Sequence, residues 1–201
     1  MNYILKPAAT LFIIAALVVA LLSFVFTYTL EPIEKQKNKT QEAAMRVVIP
    51  RAVEYRKIHV EKTGSITAVY EALYSSDALD DKVLVGYVVQ LSPEGYSGKI
   101  DMIVGISISE NAITGMRVLS HTETPGLGAN AVKENFYGQF RHRDLVPLGV
   151  ARNSPGEYDI QAITSSTITS RAITEAVNEA IEWYLLQARS DEESTPDRSE
   201  E

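Results

Sequence analysis

At 201 residues, 45% of them hydrophobic, the chain is long enough for one ordinary domain plus extensions. It contains no cysteine, which excludes disulfides, thiolate catalysis and cysteine-ligated zinc or iron–sulfur sites. The net charge is −7, and residues 190–201 hold −5 of it with six acids against Arg198. The remaining body is nearly balanced and lacks the basic footprint that a nucleic-acid partner requires.

Residues 1–7 form a short N-terminal segment carrying Lys6. Residues 8–30 are uncharged and rich in Leu, Ile, Val, Ala and Phe. As a helix that length spans a hydrocarbon core of about 30 Å, whereas the apolar part of a cleaved signal peptide is about 7–15 residues long. The reading is a retained transmembrane anchor in contact with lipid, with Tyr28 near one interface. Lys35, Lys37, Lys39 and Arg46 outnumber the charges on the other side, so a bare count puts the C-terminal side in the cytoplasm. That rule is weak where a large domain follows. Residues 31–50 read as a polar helical stalk, opened by Pro32 in a first turn and closed at Pro50.

A domain is expected over residues 51–189. Ile66–Tyr70, Val83–Leu91, Met102–Ile108 and Ile113–Leu119 have the composition of strands, and Ser109-Glu110-Asn111 suits a hairpin between the last two. Gly95-Tyr96-Ser97-Gly98 marks a tight turn or a close backbone approach. Ser120 to Ala129 forms a glycine-containing loop, Thr124-Pro125-Gly126-Leu127-Gly128 at its centre, leading into an expected helix over Asn130–Phe140. Arg141-His142-Arg143 reads as a solvated basic surface. Neither a metal-ligand spacing nor a Gly-x-Ser-x-Gly elbow occurs, and no catalytic residue is assigned.

The last helix is announced by Thr164-Ser165-Ser166-Thr167-Ile168-Thr169-Ser170. Six hydroxyls in seven positions compete with a helical backbone but suit a helix N-terminus, where their oxygens accept from unpaired N–H groups. Ile173, Val177, Ala180, Ile181, Tyr184 and Ala188 then recur on one face, with Arg171, Glu175, Asn178 and Glu182 opposite. Such an entry is also a seat for phosphate. Residues 190–201 cannot bury anything and read as a disordered acidic tail.

Three stretches carry a resemblance. Gln161 to Thr167 resembles the flavinylation motif Asp-x-x-Ser/Thr-Gly-Ala-Thr of an FMN-binding domain. That domain is found in the G subunit of the Rnf electron-transport complex and in the C subunit of the sodium-pumping NADH:quinone reductase. Glu123-Thr-Pro-Gly-Leu-Gly128 is similar to a second signature of that family, and Gly95 to Gly98 to a third element. Gln161 takes the position of the motif's aspartate, and Ser165-Ser166 that of its Gly-Ala pair.

The resemblance implies an α+β fold: one transmembrane helix, then an FMN domain with an antiparallel sheet and flanking helices. It implies FMN held through a phosphoester bond to Thr167, attached from FAD by a separate flavin transferase. Glu123, Thr124, Gly126 and Leu127 would meet the ring or ribityl chain, and Thr164, Ser165 and Ser166 the phosphate. The protein would relay electrons within a membrane complex that couples ferredoxin and NAD to Na⁺ or H⁺ movement, beside other membrane and peripheral subunits. Its domain would face away from the cytoplasm. A place as the quinone reductase's C subunit, a scaffold without flavin and a binding module for another anion remain open at this point.

Overall fold

The computed structural model describes residues 2–60, 63–76 and 79–193. It divides into two compact units, residues 1–42 and 43–201.

The first unit is helical throughout its described residues, as part of α1, Asn2–Val48. Its large apolar side chains from Leu11 to Leu30 are exposed. By length and composition the helix is long and apolar enough to cross a membrane. Pro32 lies inside α1 rather than opening a separate helix. A proline removes one intrahelical bond, and the helix-favouring residues on both sides carry the helix through it. Thr27 and Thr29 return their hydroxyls to the carbonyls of Ser23 and Val25, which keeps polar side chains satisfied in an apolar segment.

The second unit opens with the last turns of α1. Six antiparallel strands follow in chain order: β1 Glu54–Ile58, β2 Ile66–Ser76, β3 Leu79–Leu91, β4 Ile100–Ser107, β5 Ala112–His121 and β6 Arg143–Asp144. Between β5 and β6, the expected helix over Asn130–Phe140 is instead three short pieces. These are a 3-10 turn Gly128–Val132, the single turn α2 Glu134–Tyr137 and a 3-10 turn Gly138–Phe140. Lys133, at φ −88° and ψ 146°, is extended and breaks the run. The strands β7 Gly149–Ala151 and β8 Asp159–Gln161 form a separate parallel pair. The chain then enters α3, Thr167–Glu193. This helix reaches four residues into the segment read as an acidic tail; residues 194–201 lie outside the described residues.

The sheet is covered on both faces, which explains the near-continuous apolar runs of β3 and β4. One face packs Val89, Leu91, Met102 and Val104 with Ile173, Val177, Ala180, Ile181 and Tyr184 of α3. The other packs Val88, Ile103 and Ala72 beneath Met45, Val48 and Ile49. Each large apolar side chain fully buried here contributes roughly 1.5–3 kcal/mol. Tyr87 anchors the far end of α3 through edge contacts to Trp183 (5.3 Å) and Tyr184 (6.0 Å).

Two polar residues read as solvent-facing are structural. Arg143 donates to the carbonyls of Gln139 and Glu157. Asn178 turns inward and accepts from the Leu148 N–H (2.8 Å) while donating to the Leu148 carbonyl (3.0 Å). That pair ties α3 to the chain just before β7 and so aligns the helix start with the segment that precedes it. Asn178→Ala is expected to lower unfolding stability by about 2 kcal/mol, because both Leu148 backbone groups lose their partner. Urea denaturation of the variant beside the parent protein checks this.

Candidate functional site

The site is assembled around Glu123, a carboxylate with only 5% of its surface exposed. Its Oε1 accepts from the Ser97 backbone N–H at 2.9 Å, and its Oε2 from the Thr169 hydroxyl at 2.7 Å. Thr122 adds a bond from its hydroxyl to the Ser97 carbonyl at 3.2 Å. One side chain thereby joins the turn between β3 and β4, the loop after β5 and the first turn of α3. Gly128 is required by the same contact, since a Cβ there would stand 2.1 Å from Oε2 of Glu123. Read from sequence as an acceptor for the flavin, Glu123 lines the cleft, and each of its oxygens also accepts one hydrogen bond from the protein.

The loop following Glu123 is a turn of defined type. Leu127 N–H bonds to the Thr124 carbonyl at 3.1 Å, with Pro125 second and Gly126 third at φ +81°. That positive φ is the type II requirement for glycine. The Asn130 amide donates to the Gly126 carbonyl at 2.8 Å and holds the turn on the 3-10 segment.

At the helix entry, Ser165 adopts φ +61°, the left-handed region that its glycine counterpart in the motif would take without strain. Ser166 N–H bonds back to Ile163 (2.9 Å), and the Ser166 carbonyl accepts from Ser170 N–H (3.0 Å), so Ser166 caps the helix and Thr167 opens it. Among the described residues, the N–H groups of Thr167, Ile168 and Thr169 have no backbone acceptor. They are the free donors of a helix start.

The six hydroxyls separate by environment. Thr169 is 1% exposed and bonded to Glu123. Ser170 is buried, donating to the Ser166 carbonyl and accepting from Ile163 N–H. Ser166 is buried at the cap, Thr164 and Ser165 are exposed, and Thr167 is half-buried at the cleft.

That cleft has a volume of about 770 Å³. Glu123, Thr124, Leu127, Thr164, Ser165, Ser166 and Thr167 all line it. Gly126 does not; it shapes the turn behind Leu127. Tyr96, Arg152, Asn153, Thr169 and the motif's Gln161 also line it, beyond the expected site residues. Tyr96 is 72% exposed at the tip of the turn that Glu123 braces. The Gly-Tyr-Ser-Gly turn carries a signal for Tyr96. Arg152 and Asn153 have none, because only the pairing of β7 with β8 brings them beside the motif.

Residues 95–182 match the FMN-binding domain family. The chain is 31% identical over 188 residues to the G subunit of the ion-translocating oxidoreductase complex of Methanosarcina acetivorans, covering 92% of this chain and 96% of that one. This chain belongs to the G-subunit family of the ion-translocating (Rnf) oxidoreductase complexes. It is 34% identical over 156 residues to the G subunit of the proton-translocating ferredoxin:NAD(+) oxidoreductase complex of Clostridium ljungdahlii, with 77% and 78% of the two chains aligned. Identity to the Na(+)-translocating counterpart of Acetobacterium woodii is 31% over 191 residues, covering 90% and 91%. In fold, the chain is similar to the C subunit of the Na(+)-translocating NADH-quinone reductase from Parabacteroides distasonis. There the TM-score is 0.56 at 18% identity, covering 78% of this chain and 95% of that one.

FMN is the family's cofactor, and the residues of the cleft fit it. Backbone donors and hydroxyls at the start of α3 suit a phosphate. Exposed Tyr96 and Leu127 offer apolar surface for a planar ring. The volume lies within the ordinary range for small-molecule sites, about 300–1,000 Å³.

Two substitutions test this geometry. Glu123→Ala should cost about 2 kcal/mol, since it leaves the buried Thr169 hydroxyl without its partner and removes the acceptor of Ser97 N–H. Ser165→Gly should raise stability by roughly 0.5–1 kcal/mol, the relief of left-handed strain exceeding the added freedom of the unfolded chain. Thermal melts of both variants in the same detergent give the two signs.

Proposed function

We propose that this chain is a membrane-anchored electron carrier with FMN attached to Thr167 by a phosphoester bond. It works within a complex that couples electron transfer between ferredoxin and NAD to movement of Na⁺ or H⁺. The observation that carries the attachment is the division of labour between two threonines. Both line the cleft, but the Thr169 hydroxyl is buried and donates to Glu123, whereas Thr167 is half-buried beside free helix N–H groups.

Bound there, FMN supplies reversible electron transfer at an exposed station. The residues of the chain do the rest. N–H groups at the head of α3 and the hydroxyls of Thr164 and Ser165 meet phosphate oxygens. Leu127 and Tyr96 offer a surface to the ring, and the turn at Pro125-Gly126 fixes where Leu127 stands. A covalent tether suits a carrier that must meet successive partners without losing its cofactor. The attachment needs an external flavin transferase, with the Thr167 oxygen displacing AMP from FAD. Identities above 30% to Rnf-type G subunits favour that role over a place in the quinone reductase, where the likeness is one of fold. The domain is assigned to the extracytoplasmic side, as the family resemblance implies; the lysine count of residues 31–46 points the other way, but that rule is weak before a large domain.

Expressed in a host with the transferase, the parent chain should fluoresce as a flavoprotein band in denaturing gels. Thr167→Ala should abolish the band and Thr169→Ala should keep it. Loss of fluorescence in Thr169→Ala with retention in Thr167→Ala reverses the assignment. A dark parent band from the native host leaves the fold as a scaffold without flavin, the reading that Gln161 and Ser165-Ser166 favour. For orientation, protease should digest the domain in cells whose outer layer alone is opened. Protection until the inner membrane is breached places the domain in the cytoplasm.

A further inference from the structure

We infer that Arg152 is a phosphate-binding residue of the cleft, its guanidinium pairing with the FMN phosphate seated at the head of α3. This rests on the reading of the cleft as the FMN seat. Among the described residues, Arg152 is the only basic side chain lining that cleft. It is exposed and has no ion-pair or hydrogen-bond partner among them. The other charged lining residue, Glu123, is buried, accepts from Ser97 N–H and the Thr169 hydroxyl, and forms no ion pair with Arg152.

The backbone determines where Arg152 stands. In the parallel pair, Ala151 faces Gln161, and Ala162 N–H donates to the Ala151 carbonyl at 2.8 Å. Arg152 therefore leaves the pair beside Ala162, two residues before Thr164 and the hydroxyl run. The Asn178–Leu148 bonds hold the start of that unit on α3, so the arginine and the helix entry share one frame. An arginine fork matches phosphate oxygens in a way that a lone helix terminus does not, because it adds a full charge and two aligned donors. The helix start alone contributes partial charge and N–H groups.

The inference separates phosphate from ring, so it is tested with two ligands that differ only in phosphate. Full-length Thr167→Ala protein in detergent, which cannot form the covalent bond, is titrated with free FMN and with riboflavin, following flavin fluorescence. FMN should bind more tightly than riboflavin. Adding Arg152→Gln should weaken FMN about tenfold or more, the worth of one hydrogen bond to a charged group, and leave riboflavin unchanged. Arg152→Lys should restore part of the loss, since it returns charge without the fork. FMN binding more tightly than riboflavin yet unweakened by Arg152→Gln overturns the inference and leaves the FMN seat standing, whereas equal affinities in the Arg152-bearing chain, immeasurable ones included, overturn both. An equal loss for both ligands in Arg152→Gln also overturns the inference and places the guanidinium on the ring or in the structure. Because Thr167 is already absent, none of these outcomes depends on whether the covalent bond forms.

Discussion

A carboxylate removed from water is costly by several kcal/mol unless its oxygens are met by donors, and Glu123 is buried on the floor of the cleft. Its donors come from segments far apart in sequence, Ser97 from the turn after β3 and Thr169 from the first turn of α3. The bonds therefore do more than satisfy a charge. They hold a loop tip, a type II turn and a helix start in one arrangement, and the cleft is the space between them. They also occupy the hydroxyl of Thr169, while Thr164 and Thr167 line the cleft without that tie.

The same constraint accounts for the small residues of the site. Gly128 is fixed by the approach of the Glu123 carboxylate, and Gly126 by the positive φ of its turn. Ser165 departs from this economy by holding a left-handed backbone with a side chain present. It keeps the backbone path of the glycine-containing motif at some cost in strain and adds a hydroxyl at the mouth of the cleft. Arg152 brings the one full positive charge among the described lining residues, delivered by the short parallel pair rather than by the main sheet.

Much of the architecture is legible in the chain. The strands β3 and β4 announce themselves because both faces of the sheet are covered and their apolar runs are long. The buried face of α3 follows the helical spacing of Ile173, Val177, Ala180, Ile181 and Tyr184. What escapes has physical reasons. β1 is an edge strand whose Arg56 pairs with Glu71, so it lacks an apolar pattern. Asn178 and Arg143 are polar residues whose partners are backbone groups, most of them distant in sequence. Composition predicts one helix over 130–140 because nothing local announces the extended Lys133. The hydroxyl run points to the candidate site and the motif singles out Thr167, but the burial of Thr169 against Glu123, more than forty residues upstream, has no local signal.

The position of the covalent bond is the point on which the functional reading turns. Trypsin should release Asn153–Arg171 as one peptide, containing all the candidate hydroxyls. Fragmentation mass spectrometry of that peptide, from protein made in its native host, reads the attachment site directly. An FMN mass on Thr167 is the predicted result. The same mass on Thr169 or Thr164, or a peptide without flavin, contradicts it.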